Sequence, residues 1–586
     1  MPKVDRRVAA DVKALEECHD ALRRAQLDAA LLESVRRFDK AWRGLKRHDY
    51  AAYLQGRCVV GETYDYFGEH AAAEEALAET DASALKKLVS GGAPGGSPAE
   101  RLRWKREIWA LAAKAQTHYR AEAFSSAQEL LNLCGEAVDC LASGRKEFFG
   151  TRSRLDYARG QIQRQQASFP KARSWFSSSV AWSVKRFVGD TPFADISQPV
   201  SKRRALSKAD QLAFDHARLL AAWTVGKTQA LGLGWIDLTT GSLATSEMHL
   251  NAGYAMLRTT GDWIHRAYAT LLIGVVQRAR AGNNSDGLNK SIDLIQNAKD
   301  GLANHPFKLR ACYELAQAHL RLGAVQAARK EIDEMMAGLP PNTDAGSQKQ
   351  RWRCNGLVVK SRIERAARNF PAAQAFAKEA RELASQRDQR LDRGWHSEGW
   401  IEAQIAQGEV LQDWAATEQG RRVERLTEAL ECFENARDYC RGNPKTLAVC
   451  HFHVARVLAR LGDRVRARTA YAHGLTAATV VEHGFVMALA QEIGEEIKDD
   501  DCFFISSDLV FLDSTSGLTH HLTTADEAIM NLQSFLARRA EEIAGGKHKG
   551  SQRLAVDPRT QRKWVRQTGV AAPQRLRGGV SKVPPR

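Results

Sequence analysis

The chain has 586 residues, 44% of them hydrophobic and only 15 of them proline, a composition that excludes wholesale disorder and suits several domains or one long array. No run of eighteen apolar residues occurs, and the opening MPKVDRRVAADVKALEECHD has neither an apolar core nor a small-residue cleavage site, so no membrane span and no secretory signal are expected. The net charge of +16 is concentrated: residues 543–586 hold eleven Lys or Arg against one acid, Asp557, which leaves +6 for the first 542 residues and points to a polyanionic partner near the C-terminal end.

Residues 1–47 read as an N-terminal helical cap. A recurring pattern then begins. GETYDYFGEHAAAEEAL places Gly61, Tyr64, Gly68, Ala73 and Leu77 at offsets that GQIQRQQASFPKARSWF repeats with Gly160, Phe169, Ala172 and Phe176. The clearest pair lies further on. Leu315, Ala316, Leu322, Gly323, Ala328 and Ile332 fall on Val454, Ala455, Leu461, Gly462, Ala467 and Tyr471 when residues 309–332 are laid over 448–471. Small residues let two antiparallel helices approach closely, glycine ends the first helix, and large apolar residues fill the seam. Weaker copies centre on Ala115, Gly226, Gly274, Ser361 and Gly408.

This pattern resembles the tetratricopeptide repeat (TPR), although most spacings here are about 42 to 54 residues rather than the usual ~34. The resemblance implies an all-α, TPR-like solenoid of about nine helical hairpins over residues 48–498, with a concave face that takes a protein or peptide segment. The stretches 90–100, 189–208 and 337–350 are rich in Gly, Pro and polar residues and read as loops. Ten sparse cysteines, most of them within helical patterns, fit buried thiols in a reducing cytoplasm.

Several short stretches imitate enzyme motifs. AAWTVGKT (221–228) ends like a phosphate-binding loop, but Ala221 stands where that loop needs glycine and no strand precedes it, so Gly226 reads as a seam residue. In CHFH, Cys450, His451 and His453 lack the spacing of three or four that lets helical side chains share an ion. His520 and His521 read as solvated, and the serines of WFSSSV lack a glycine-flanked nucleophile turn. No enzyme, metal or cofactor is expected.

After a linker, residues 499–522, whose apolar cluster (503–505 and 509–512) has no assignment, the chain changes character. Residues 523–544 read as a helix ended by Gly545-Gly546, and KHKGSQRLA as a short second helix. VDPRTQRKWVRQTG then has Asp557 as N-cap, Pro558 at the first helical position and Gly569 past the end. Three helices with a tight turn before the last form a helix-turn-helix.

With Gly550-Ser551, Leu554-Ala555-Val556, Asp557 and Thr560 in order, residues 523–570 resemble the Fis-type helix-turn-helix of a bacterial nucleoid protein and of enhancer-binding activators. Ala555 departs from the usual turn glycine, Arg553 stands where an apolar residue is common, and the activators' ATPase domain is absent. The resemblance implies double-stranded DNA binding. Arg559, Thr560 and Gln561 would meet base edges or phosphate at the start of the recognition helix. Arg562, Lys563 and Arg566 would reach bases or phosphates further along, and Lys547 and Lys549 would contact phosphates. Trp564 reads as a core anchor, and 571–586 as a disordered basic tail. A single unit of this kind has limited contact area, so a homodimer is expected. The leading reading is a bacterial-type cytoplasmic DNA-binding regulator. The alternative is an interaction scaffold whose basic tail binds nucleic acid nonspecifically.

Overall fold

Each copy of the small–large pattern folds as two antiparallel helices. The computed structural model describes residues 13–15, 17–18, 29–39, 42–47, 50–91, 97–142, 146–190, 208–302, 305–339, 348–390, 397–440 and 443–497. The described elements are helical throughout, and no described helix is long and apolar enough to cross a membrane. Compactness divides the chain into two units: residues up to Thr446 together with Val480–Ala488, and Leu447–Thr479 together with residues from Leu489 onward.

In the first unit, α1 (Ala29–Phe38) and a 3-10 turn (Trp42–Arg47) precede the first hairpin, α2 (Tyr50–Phe67) with α3 (His70–Leu77). A short α4 (Ser83–Ser90) leads into α5 (Pro98–Arg120) and α6 (Phe124–Ala142), then α7 (Phe149–Gln165) and α8 (Phe169–Asp190). The fourth hairpin has a long first arm. It runs from α9 (Lys208–Lys227) through a π-helical segment (Thr228–Gly234) into α10 (Trp235–Thr240), and pairs with α11 (Leu243–Leu257). Four more follow: α12 (Trp263–Ala281) with α13 (Ser285–Leu302), α14 (Lys308–Arg321) with α15 (Val325–Ala337), α16 (Gln348–Ala366) with α17 (Phe370–Arg390), and α18 (Glu398–Thr417) with α19 (Arg422–Tyr439). Each packs on its predecessor, and first helices of neighbouring hairpins also touch one another, which makes this unit a TPR-like solenoid.

The second unit holds most of a ninth hairpin, α20 (Pro444–Leu461) with α21 (Arg464–Ala478), and the greater part of α22 (Gly484–Ile497). Asp463 caps α21 by accepting from Arg466 N at 3.1 Å, and Tyr471 Oη donates to Ala490 O at 2.9 Å. Arg456 pairs with Glu492 at 2.6 Å and Glu496 at 2.9 Å.

Among the described residues the expected count of hairpins holds, and so does the seam residue of each but the fourth. Gly160 lies so close to the Phe176 ring that an added Cβ would sit 2.7 Å from it, and Gly408 stands in the same relation to Phe433. Seven residues after the seam residue the chain turns with positive φ: Gly323 and Gly462 adopt it freely, at +73° and +90°. At the same offset Glu122, Ala167 and Arg368 adopt it without being glycine, a left-handed conformation that costs roughly 1–2 kcal/mol per residue.

Two expectations need adjustment. Gly226 does lie in a seam, against Gly253, but the sixteen-residue offset found elsewhere belongs to Gly234 and Leu250, because the π-helical segment and α10 lengthen the first arm. The loop read over 90–100 ends earlier than its composition suggests. Ser97 accepts from Glu100 N, Glu100 Oε2 accepts from Ser97 N at 2.7 Å, and Pro98 stands at the first position, so α5 starts there.

Candidate functional site

The first helices of the hairpins in the first unit share a cavity of ≈ 280 Å³. Glu62, Asp65 and Tyr66 reach it from α2, Arg120 from α5, and Arg154, Tyr157 and Arg164 from α7. Trp223 and Lys227 come from α9, His265 from α12, His305 and Arg310 from around the start of α14, and Arg351 from α16. Seven Arg or Lys side chains and only two carboxylates line it.

The cavity is walled on several sides because distant hairpins of this unit meet. Tyr66 Oη donates to Asp262, 196 residues away. Arg351 donates to Gln165 Oε1 at 2.9 Å across 186 residues. In the turn after α5, Glu122 forms a buried, two-pronged ion pair with Arg387 of α17, one of its bonds being 2.8 Å from Nε. The segment Val480–Ala488 also returns to this unit, where Glu482 N donates to Gly241 O at 2.9 Å and Arg321 lies over the Phe485 ring.

Asp262 is the hub of one wall. It is fully buried, caps α12 by accepting from His265 N at 2.9 Å, accepts from Trp223 Nε1 at 2.6 Å, and lies 2.6 Å from His265 Nδ1. Burial alone would raise its pKa, but the His265 charge and these donors overcome that and hold it at about 2. Asp65 follows the same logic: burial opposes ionisation, while Arg120 at 3.1 and 3.2 Å and His70 at 3.3 Å keep its carboxyl well below the usual carboxylate range. Burial pushes His305 down to about 3, so it is neutral near pH 7. Its Nδ1 accepts from Phe307 N at 3.1 Å, which leaves Nε2 to donate to Tyr66 O at 3.0 Å.

Lys227 is differently placed. Its Nζ lies 4.7 Å from the centre of the Tyr157 ring and 4.5 Å from that of Trp223. Among the described residues no carboxylate lies within ion-pair distance of it. Burial pulls its pKa down to about 8, against the opposing pull of Asp262 and with help from Arg154. Arg164 is similar, donating to Leu231 O at 2.6 Å and covering the Trp235 ring at 4.4 Å, with its Nε buried and unpartnered. Arg164, Gln165, Trp235 and Arg351 also line a smaller hollow of ≈ 70 Å³, so the two spaces adjoin.

The sequence motifs resolve as follows. Gly226 and Lys227 end α9 in helical backbone rather than in a phosphate loop. Within WFSSSV, Ser178 donates to Asp156 at 2.6 Å and Ser179 bonds to Ser153, so both serve the α7–α8 seam. Cys450 and His453 are buried. One group among the described residues has metal-like geometry, Cys312 with Glu331 and Glu334, but the Lys299 ammonium sits 2.7 Å from both carboxylates and fills the cation position. Lys547, Lys549, Arg559, Thr560, Gln561, Arg562, Lys563 and Arg566 all lie outside the described residues. Sequence reading passed over Lys227 and Arg164. The one signal at Lys227 was the basic residue after Gly226, and it looked like part of an imitation loop.

No protein-family model matches the chain, and no curated protein matches it. Among solved structures it is similar to the Rap protein complexed with competence and sporulation factor, at 9% identity over 76% of this chain and 99% of that one, with a TM-score of 0.46. Yeast Tom70 matches at 10% identity over 83% and 96% of the two chains, with a TM-score of 0.35. The P58(IPK) TPR domain matches at 11% identity over 76% and 99%, with a TM-score of 0.19.

Proposed function

We propose that this protein is a binding regulator: its solenoid holds a segment of a protein or peptide partner, and residues 523–570 bind double-stranded DNA as a Fis-type helix-turn-helix. The observation that carries the first half is the enclosed, aromatic and cationic cavity with its adjoining hollow, a long site lined by several helices and lacking a nucleophile–base pair. The second half rests on the sequence: Asp557-Pro558 as a helix start, Gly569 as its end, and the basic surplus of residues 543–586. Arg559, Thr560 and Gln561 are the base-reading candidates. Arg562, Lys563 and Arg566 stand further along, with Lys547 and Lys549 on phosphates. Dimerisation would present two such modules to a pseudo-palindromic site.

A DNA-binding titration tests this reading. The full chain, a truncation ending at His521 and an Arg562→Ala/Arg566→Ala variant are compared on random and selection-enriched duplexes at several salt concentrations. Tight, sequence-selective binding by the full chain, lost in both altered forms, is expected. Weak binding that is equal for every duplex and abolished by moderate salt would replace the regulator with a scaffold carrying an adhesive tail.

A further inference from the structure

We propose that the cavity selects acidic polypeptide: Lys227, held between Tyr157 and Trp223, receives a side-chain carboxylate of an extended partner segment, and Arg164 and Arg351 receive acidic groups further along it. This deepens the peptide-binding reading and rests on it.

The charges lining the cavity do not balance. The two carboxylates in the lining are already engaged, Glu62 by Arg154 and Asp65 by Arg120 and His70. Neither is available to Lys227, Arg164 or Arg351. Lys227, Arg164 and Arg351 are half-buried and among the described residues form no ion pair, and a partly desolvated cation gains when a ligand carboxylate enters beside it. The Lys227 ammonium lies over two ring faces and, among the described residues, has no carboxylate within ion-pair distance, while Arg164 keeps a buried, unpartnered Nε. Both are therefore placed to gain an anionic partner without losing an existing ion pair.

The site extends over two adjoining spaces. Arg164 and Arg351 belong to both the main cavity and the smaller hollow. A free phosphate or a single acid would occupy one space, whereas an extended chain, advancing about 3.3–3.6 Å per residue, passes from one into the other.

Nucleic acid would also suit a cationic, aromatic site. Single strands bind such sites by stacking bases on open ring faces. Here protein cations already cover the rings: Lys227 covers Tyr157 and Trp223, Arg164 covers Trp235, and Tyr157 also packs on Phe176 at 5.6 Å between ring centres. Cations on covered rings remain able to receive carboxylates, but the rings are poor platforms for bases.

The test uses the full chain and fluorescence anisotropy with a labelled octapeptide of alternating Glu and Leu. Its Gln-for-Glu and Lys-for-Glu counterparts and an octauridylate serve as the other probes. Because the basic C-terminal region can attract any anion, each probe is also titrated against Lys227→Met and Arg351→Ala, which keep that region intact. Circular dichroism confirms that both variants are folded. The Glu peptide is expected to bind about tenfold or more tighter than the Gln peptide, and to lose about tenfold in each variant. Equal binding of the Glu and Gln peptides, or Glu-peptide binding unchanged in both folded variants, overturns the acidic selectivity and leaves the peptide-binding reading standing. Octauridylate binding that drops in Lys227→Met while Glu-peptide binding does not assigns the cavity to nucleic acid. No binding of any of the three peptides overturns the peptide-binding reading itself.

Discussion

The seams between helices and the cavity they enclose are built on the same first helices, yet they obey opposite rules. In the seam, Gly160 admits the Phe176 ring and Gly408 admits Phe433, all at zero or near-zero exposure and without charge. On the cavity side of α7, Arg154, Tyr157 and Arg164 present cations and an aromatic ring. The seam is repetitive because each hairpin solves the same packing problem with its own two helices. The cavity is not, since contacts between adjacent hairpins, such as Lys227 over Tyr157, stand there beside contacts across several repeats, such as Tyr66 with Asp262. Stability is therefore spread along the chain, while specificity is gathered in one place.

The comparison can be broken most forcefully from the seam side. Phe433→Ala removes a fully buried ring that fills the space over Gly408, and a loss of about 3–5 kcal/mol is expected from urea unfolding. Cavity closure comes next. Arg387→Met removes the guanidinium from the buried Glu122 carboxylate, and a cost of about 3 kcal/mol is expected. Replacing both residues by apolar ones should cost less than Arg387→Met alone, whereas simple additivity would show that the pair does not couple the two hairpins.

A smaller effect of opposite sign is expected at an exposed turn. Arg368 has φ of +60° and is exposed, so Arg368→Gly should relieve left-handed strain and stabilise by about 0.5–1 kcal/mol, visible as a raised Tm. The subtlest test separates cavity from seam by pH. The pKa of Lys227 is depressed in the folded chain to about 8 from an ordinary 10.5. Below both values the folded and unfolded states are equally protonated and the burial penalty is felt in full. Between them the unfolded chain binds more protons, so stability should rise as pH increases from about 8 toward the ordinary lysine value. Lys227→Met should flatten that rise, and Phe433→Ala should leave its slope unchanged.

Much of the fold was legible. Ala316 with Ile332 and Ala455 with Tyr471 share one spacing, which Gly61 with Leu77 and Gly160 with Phe176 repeat; Gly408 meets Phe433 at a longer offset, and in the fourth hairpin Gly226 was chosen in place of Gly234. A π-helical segment leaves no compositional mark, since Thr228–Gly234 reads as ordinary helix with two glycines. Of the candidate site, the sequence offered only the expectation of a binding face on the repeats. Lys227 carried a misleading signal, and Asp262 was not singled out.

The sequence by itself determined that this chain is a series of helical hairpins, because a small residue facing a large one across a short turn is a local relation written within about thirty residues. It also marked residues 543–586 as strongly basic. Only the tertiary structure decided that Tyr66 meets Asp262, Gln165 meets Arg351 and Glu122 meets Arg387. Those meetings depend on the small rotation added at every hairpin-to-hairpin contact, summed over several repeats. No single stretch of sequence encodes that sum, and it is the sum that brings Arg351 to the cavity already lined by Arg164 and Lys227.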